Sequence, residues 1–282
     1  MSEPASESST PGRVGGRGRV LVTGAGSGLG KAIAMRFAAG GYRTLVSDVD
    51  GEAAEAVAKG IDAEFLPLDV TDPQAWEQAR AWCAEHWDGL DVLVNNAGVA
   101  SAGRFERITL DDWDWIWDIN FKGVLHGCRA FVPEFKERGA GHLVNVASLA
   151  GIMNLPAMAS YNVSKAAVIS LSETLRNELT AYGVHTTVVC PAYVRTNLGD
   201  RMRSPDQSMI ALMDKLMASS TVTPTDVADQ VFDAVARKRF LVLTHRDGRQ
   251  SWLLKRYLPK VVEARVAKYW RRLRSTVERE GA

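Results

Sequence analysis

Tyr161 and Lys165 stand four residues apart in a stretch of helical periodicity, so their side chains leave one face of the helix. A free phenol has a pKa of about 10, too high for a base at neutral pH. An ammonium beside it stabilises the phenolate, and a shift of about 3 units corresponds to roughly 4 kcal/mol. Tyr/Lys pairs of this spacing also occur on plain solvated faces. Ser148, at the end of the strand before this helix, adds a third polar group and tips the reading towards proton transfer.

A second group of residues points to a bound anion. A β-branched stretch runs directly into Thr23-Gly24-Ala25-Gly26-Ser27-Gly28-Leu29-Gly30, followed by a helical segment, Lys31–Ala39. Glycines let such a turn bring backbone N–H groups onto a pyrophosphate at a helix N-terminus, where the dipole favours negative charge. A strand before, a helix after and an acid about 20 residues on make this a dinucleotide-binding signal rather than a plain turn. That acid is Asp48, at the end of the second strand. A carboxylate there hydrogen-bonds the adenosine ribose and repels a 2′-phosphate, and neither Ser27 nor Val49 supplies a cation for that phosphate. NAD is therefore expected ahead of NADP; the other reading of Asp48 is a cap on the turn that follows. Asp69, with Val70 after the third strand, suits either the adenine amino group or a helix cap before Pro73.

The elements that must position these groups are legible. Short apolar runs at Val20–Thr23, Thr44–Ser47, Glu64–Leu66, Val92–Val94, Leu143–Val146, Thr186–Val189 and Phe240–Leu243 alternate with helix-length segments. Runs without polar alternation suit strands buried on both faces, so the expected fold is α/β: a Rossmann-type, doubly wound parallel sheet of about seven strands with helices on both faces. Thr223-Pro224-Thr225-Asp226 reads as an N-cap opening the helix Asp226–Ala236, and Gly40-Gly41 as the stop of the first helix.

The domain divisions expected are a disordered tail over residues 1–18, a catalytic domain over 19–248 and a basic amphipathic helical extension over 249–282. Charge is uneven: from Arg237 onward there are 14 Lys/Arg and 4 Asp/Glu, a net of +10 that leaves −9 over the first 236 residues. Cys83, Cys128 and Cys190 are scattered in apolar runs and read as buried, reduced thiols. The five histidines show no metal-ligand spacing, and no metal is expected. With no signal-peptide h-region and no run of membrane-span length, the expected location is cytoplasmic.

Taken together, the motifs resemble the single-domain short-chain dehydrogenase/reductase family. The likeness rests on Thr23-Gly-x3-Gly28-x-Gly30, Asn95-Asn96-Ala97-Gly98, Asn120, Ser148, Tyr161-x3-Lys165 and Pro191-x4-Thr196, over roughly residues 19–245. Ala192 departs from it, standing where the family usually has glycine. The resemblance implies that Tyr161 exchanges a proton with the substrate oxygen, which Ser148 holds by a hydrogen bond. It implies that Lys165 lowers the tyrosine pKa and grips the nicotinamide ribose, and that Asn120 holds a water linking Lys165 to solvent. Asn96, Ala97 and Gly98 would line the adenine side, with Asn95 bracing the sheet. Thr196, after Pro191 and Val194, would bond the carboxamide.

Ligands in such sheets lie outside the carboxyl ends of the strands. The substrate pocket is thus expected to draw on Ser148, Met153, Met158, Tyr161 and Tyr193, under a lid carrying Met202, Met209, Ile210, Leu212, Met213, Leu216 and Met217. Methionine surfaces adapt to apolar ligands, so a hydrophobic secondary alcohol or ketone is the expected substrate. Beyond Pro259, Val262, Val266, Tyr269, Leu273 and Val277 form one stripe among basic residues. Such a helix lies in a membrane interface, on its own body or on a neighbouring subunit. Nucleic acid is not expected, since no recognition motif accompanies the charge. Trp113, Trp115 and Trp117 precede Asn120 on a long helix that the family pairs between subunits, which implies a homodimer or homotetramer. Two other functions remain: an NADPH-dependent 3-oxoacyl-thioester reductase, and a non-catalytic dinucleotide-binding sensor or membrane-recruited scaffold.

Overall fold

The computed structural model describes residues 18–196 and 198–278, without the side chains of Asp200, Thr276 and Val277. The tail expected over residues 1–18 therefore lies outside the described residues except for Gly18, whose carbonyl accepts from Arg43 N–H.

Strand β1 (Arg19–Thr23) feeds helix α1 (Gly28–Ala39) and returns to β2 (Arg43–Asp48). The unit repeats through α2 (Gly51–Gly60), β3 (Glu64–Pro67), α3 (Pro73–Trp87) and β4 (Val92–Asn95). Next come α4 (Leu110–Trp117) and α5 (Gly123–Arg138), joined without a break by a π-helical turn over Asp118–Lys122. Strand β5 (Gly141–Val146), the short α6 (Ala150–Met153), the long α7 (Ala159–Leu179) and β6 (Val184–Cys190) follow. The chain continues through α8 (Gln207–Ala218), α9 (Pro224–Ala236), β7 (Leu241–Leu243), α10 (Arg246–Tyr257) and α11 (Pro259–Val277).

The strands form one parallel sheet in the order β3-β2-β1-β4-β5-β6-β7. Each expected strand is present, with ends displaced by a residue or two. Alternate side chains enter two cores, one per face. Val20, Val22, Val94, Val144 and Val189 pack with Ile33 and Phe37 of α1 and Val227 and Val231 of α9. Leu21, Leu93, Leu143 and Val188 pack on the other face with Trp76 of α3, Phe131 of α5 and Val168 of α7. Burial on both faces, which the absence of polar alternation implied, holds for the inner strands, whereas the edge strand β3 has no buried residue and exposes Phe65. The N-cap of α9 is a full capping box between Thr223 and Asp226, and α1 stops at Gly40, with Gly41 at positive φ. The three cysteines are buried free thiols, each pushed up to about 12 by burial.

Chain direction across the sheet reverses between β1 and β4, which opens a crevice at the carboxyl ends of those two strands. The opposite end is closed by ion pairs. Arg19, at the start of β1, grips both oxygens of Asp91 at 2.8 and 2.9 Å, and Arg138 of α5 adds a bond to Asp91 at 2.9 Å and one to Glu134 at 3.1 Å.

Candidate active site

Ser148 follows the carboxyl end of β5, where Ala150 N–H donates to its Oγ at 3.1 Å and Pro191 O stands 3.4 Å away. Tyr161 and Lys165 lie one turn apart on α7, both buried. Burial pushes the Tyr161 phenol above its ordinary value, and a hydrogen bond with Ser148 pulls it down. This differs from the lowering expected of the Lys165 ammonium: burial of the phenol is the largest influence, and the lysine is bonded elsewhere. Its Nζ donates to Val146 O at 3.0 Å and stands 6.0 Å from the centre of the tyrosine ring. Burial brings the Lys165 pKa down to about 8, so its charge is costly where it sits.

Asn120 is placed by the π-helical turn. A π-turn inserts an extra residue into the helical repeat, and such insertions are frequent at functional sites. The side chain is wholly buried: Oδ1 accepts from Val99 N–H at 2.8 Å, and Nδ2 donates to Val99 O and to Ser164 Oγ. Gly98 lies between Asn120 and Lys165; a Cβ there would stand 3.1 Å from Asn120 Oδ1 and 3.3 Å from Lys165 Nζ. Gly98 thus sits on the Tyr161–Lys165 side of the crevice.

The glycine loop folds as a cradle at the N-terminus of α1. A Cβ on Gly30 would stand 2.1 Å from Gly24 O, and one on Gly24, whose φ is +62°, would stand 2.8 Å from Ala97 Cα. Thr23 Oγ1 accepts from the N–H groups of Asn96 and Ala97, and Asn96 Nδ2 donates to the carbonyls of Thr23 and Gly24, locking the β1 and β4 ends together. Ser27, the N-cap of α1, makes no side-chain cap, and the first turn, with Leu29, carries no acid. An uncapped N-terminus facing a glycine turn is an anion site in waiting. Asp48 reaches the loop from β2: its Oδ2 accepts from Gly26 N–H at 3.0 Å and its Oδ1 from Asp50 N–H at 3.1 Å. It therefore caps its own turn and stands at the loop as well. Asp69 accepts from Thr71, and the cap of α3 is Asp72. Val70 turns inward onto Gly123. Thr196, beyond Pro191 and Val194, lies over Gly28.

Above these groups Met202, Met209, Met213 and Met217 are buried in one cluster with Met158 and Tyr161, and Tyr193 packs against it. Met153 sits half-buried on α6 outside that cluster. The lid is tethered through Asp206, a wholly buried carboxylate before α8 that accepts from Arg104 N–H at 2.9 Å and pairs with the guanidiniums of Arg104 and Arg107. Leu273 of α11 packs onto the same cluster. Burial, with smaller contributions from Tyr269 of α11 and Tyr161, pushes Tyr193 up to about 12. Lys255 of α10 donates to Ile152 O on α6. The apolar stripe of the extension thus packs on its own body, with Val262 buried and Val266, Tyr269 and Leu273 half-buried; the Val277 side chain is outside the described residues.

Comparison with known proteins agrees with this geometry. The sequence model of the short chain dehydrogenases matches residues 18–207. The chain belongs to that family. It is 37% identical over 261 residues to the probable oxidoreductase EphD of Mycobacterium tuberculosis, covering 87% of this chain and 44% of EphD. The chain thus spans less than half the length of that relative. It is 36% identical over 181 residues to 2,5-dichloro-2,5-cyclohexadiene-1,4-diol dehydrogenase LinX of Sphingobium indicum, covering 62% of this chain and 72% of LinX. A crystal structure of a short chain dehydrogenase/reductase from Burkholderia phymatum in complex with NAD superposes with a TM-score of 0.82 at 31% identity, covering 87% of this chain and 95% of that one.

In this chain the family match stops at residue 207, where α8 begins. Sequence reasoning missed what lies on either side of that point. Asp206 and its two arginines are about a hundred residues apart and carry no local signal. Leu273 and Tyr269 do carry one, their shared helical stripe, but periodicity does not name the surface that a stripe covers. His245, in no motif, bonds Tyr193 O through Nε2 at 2.9 Å and faces Ala192 N–H through Nδ1, bracing the turn after β6.

Proposed function

We propose that this protein transfers a hydride between NAD and a hydrophobic secondary alcohol or ketone, with Tyr161 as the acid–base group. The observation that carries the reading is the convergence of Ser148, Tyr161 and Lys165 beside an uncapped helix N-terminus at the carboxyl ends of β1, β4 and β5. The cradle of Gly24, Gly26, Gly28 and Gly30 fits a dinucleotide pyrophosphate, since side chains at Gly24, Gly26 and Gly30 would strike backbone, Ala53 or Asp48, and Gly28 holds a positive φ. Asp48 supports NAD over NADP, because a carboxylate at that place repels a 2′-phosphate. The NAD in the Burkholderia neighbour and the diol in the name of the Sphingobium relative point the same way.

When bound, the nicotinamide supplies or takes the hydride. The protein's own part is proton chemistry and placement. A phenol held protonated by burial is suited to donate to a carbonyl oxygen, so reduction draws on Tyr161 as it stands. In the oxidising direction Tyr161 must accept the alcohol proton, aided by Ser148 and the Lys165 charge. The methionine lid keeps water from the site and offers an adaptable apolar wall. Exposed Phe105 and Leu110, at and just before α4, make the α4–α5 face the surface on which we place subunit pairing.

The test is a fluorescence titration with NADH and NADPH, followed by turnover on a panel of apolar alcohols and ketones. NADH binding at least tenfold tighter, with turnover, is expected. NADPH preference would make the thioester reductase the better reading, and binding of NADH without turnover would favour a sensor.

A further inference from the structure

The cations and apolar residues of the extension are arranged differently from the stripe that packs on the body. Leu253 and Tyr257 lie one turn apart on α10, Leu258 occupies the corner after it, and Val261 starts α11; they are 46, 71, 54 and 40% exposed. Four large apolar side chains at one helical corner form a patch of the kind that marks an interaction surface. Val261 also begins the outer face of α11, whose next members at helical spacing are Arg265, Lys268 and Arg272, all exposed. None of these three pairs with a carboxylate among the described residues, and Glu263 is the sole acid between Pro259 and Val277.

We propose that the α10–α11 corner docks on an anionic lipid surface, with Leu253, Tyr257, Leu258 and Val261 entering the headgroup boundary and the stripe Arg265-Lys268-Arg272 facing lipid phosphates. An apolar wedge beside a basic stripe supplies the two signals that interfacial attachment needs. No described helix is long and apolar enough to cross a membrane, so the contact is one of surface docking. A second copy of this chain is a poor occupant: a two-fold contact would bring like patches together and set the cationic stripe against itself. Aliphatic Leu253, Leu258 and Val261 offer no stacking plane for nucleic-acid bases, whereas acyl chains take them readily. The docked surface is the outer side of helices whose inner sides cover α6 and the methionine lid. This placement does not depend on the identity of the substrate or on the proposed reaction.

The experiment is co-sedimentation of the full chain with phosphatidylcholine vesicles and with vesicles of phosphatidylcholine and phosphatidylglycerol in equal parts, at low and high salt. Binding to the anionic vesicles alone, weakened by salt, is expected. Tyr257→Ser with Leu258→Ser, and separately Arg265→Glu with Lys268→Glu and Arg272→Glu, should each lower the partition coefficient at least tenfold while NADH binding is kept. All five positions are solvent-exposed, and an unchanged circular dichroism spectrum checks the fold. No sedimentation with anionic vesicles, or equal sedimentation of wild type and both variants, would overturn the proposal. So would a shift from oligomer to monomer in the apolar variant without vesicle binding, which would assign the corner to a second copy. Loss of turnover in Tyr161→Phe with vesicle binding intact keeps the two readings separate.

Discussion

The two ends of the sheet use charge in opposite ways. At the amino end, Arg19, Asp91, Arg138 and Glu134 satisfy one another, and Arg19 is held above its ordinary pKa chiefly by its bond to Asp91. At the carboxyl end Lys165 is buried without a carboxylate partner among the described residues and brought down to about 8, and burial raises Tyr161. The helix N-terminus beside them lacks a side-chain cap. One end is arranged for stability, and the other carries desolvated groups that stabilise nothing until a ligand arrives. Proteins commonly hold such strain where function requires it.

Substitutions at the two ends should therefore part activity from stability. Lys165→Met is expected to lower turnover at saturating NAD by roughly 10²–10⁴-fold, the range of acid–base assistance. Its melting temperature at pH 7 should be no lower than that of the wild type. The sign follows from linkage. The folded pKa of Lys165, about 8, lies below its ordinary 10.5, so between those values the unfolded chain binds more protons and stability rises with pH. The penalty is full below pH 8 and fades towards 10.5, and the gap between variant and wild type should narrow in melts at pH 9.5. A large loss of stability at pH 7 would remove the contrast. Arg19→Ala is the mirror case: it leaves Asp91 short of its main partner in a mostly buried place and should cost about 3–5 kcal/mol in urea unfolding. Its turnover, measured well below the transition, should stay within about twofold of the wild type, since the ion pairs lie at the end of the sheet remote from the site.

Much of this contrast was legible in the sequence where the signal is local. The glycine loop, Asp48, Ser148 and the Tyr161/Lys165 pair each follow a strand or share a helix turn, and the strands announce themselves as unalternating apolar runs. The π-turn at Asn120 was not legible, because one extra residue in a long helix leaves the apolar pattern readable. The direction of the Tyr161 shift was not either: spacing brings an ammonium near a phenol, but burial and the bond from Lys165 to Val146 O decide which influence is larger. The Asp206 tether and the seat of α11 depend on contacts between distant segments, which periodicity cannot pair.

Smaller effects sharpen the description of the carboxyl end. Asp48→Ala removes the carboxylate that would select against a 2′-phosphate; NADH affinity should fall about tenfold to a hundredfold, the worth of one or two charge-assisted hydrogen bonds. NADPH affinity should fall less. An equal loss for both cofactors would mean that Asp48 acts only as a cap on Gly26 and Asp50. Leu273→Ala loosens the packing of α11 on the methionine lid and should raise KM for bulky apolar substrates by roughly tenfold, with kcat little changed. If KM is unmoved, α11 seals the lid without touching substrate.

The most direct test of the central claim is Tyr161→Phe, assayed by single turnover with preformed NADH complex and by NADH fluorescence titration. The account predicts a fall in the chemical step of at least about 10³-fold, with NADH affinity within about threefold of the wild type. Turnover close to wild type in a folded, NADH-binding Tyr161→Phe protein would contradict it, and the proton would then have to come from another group.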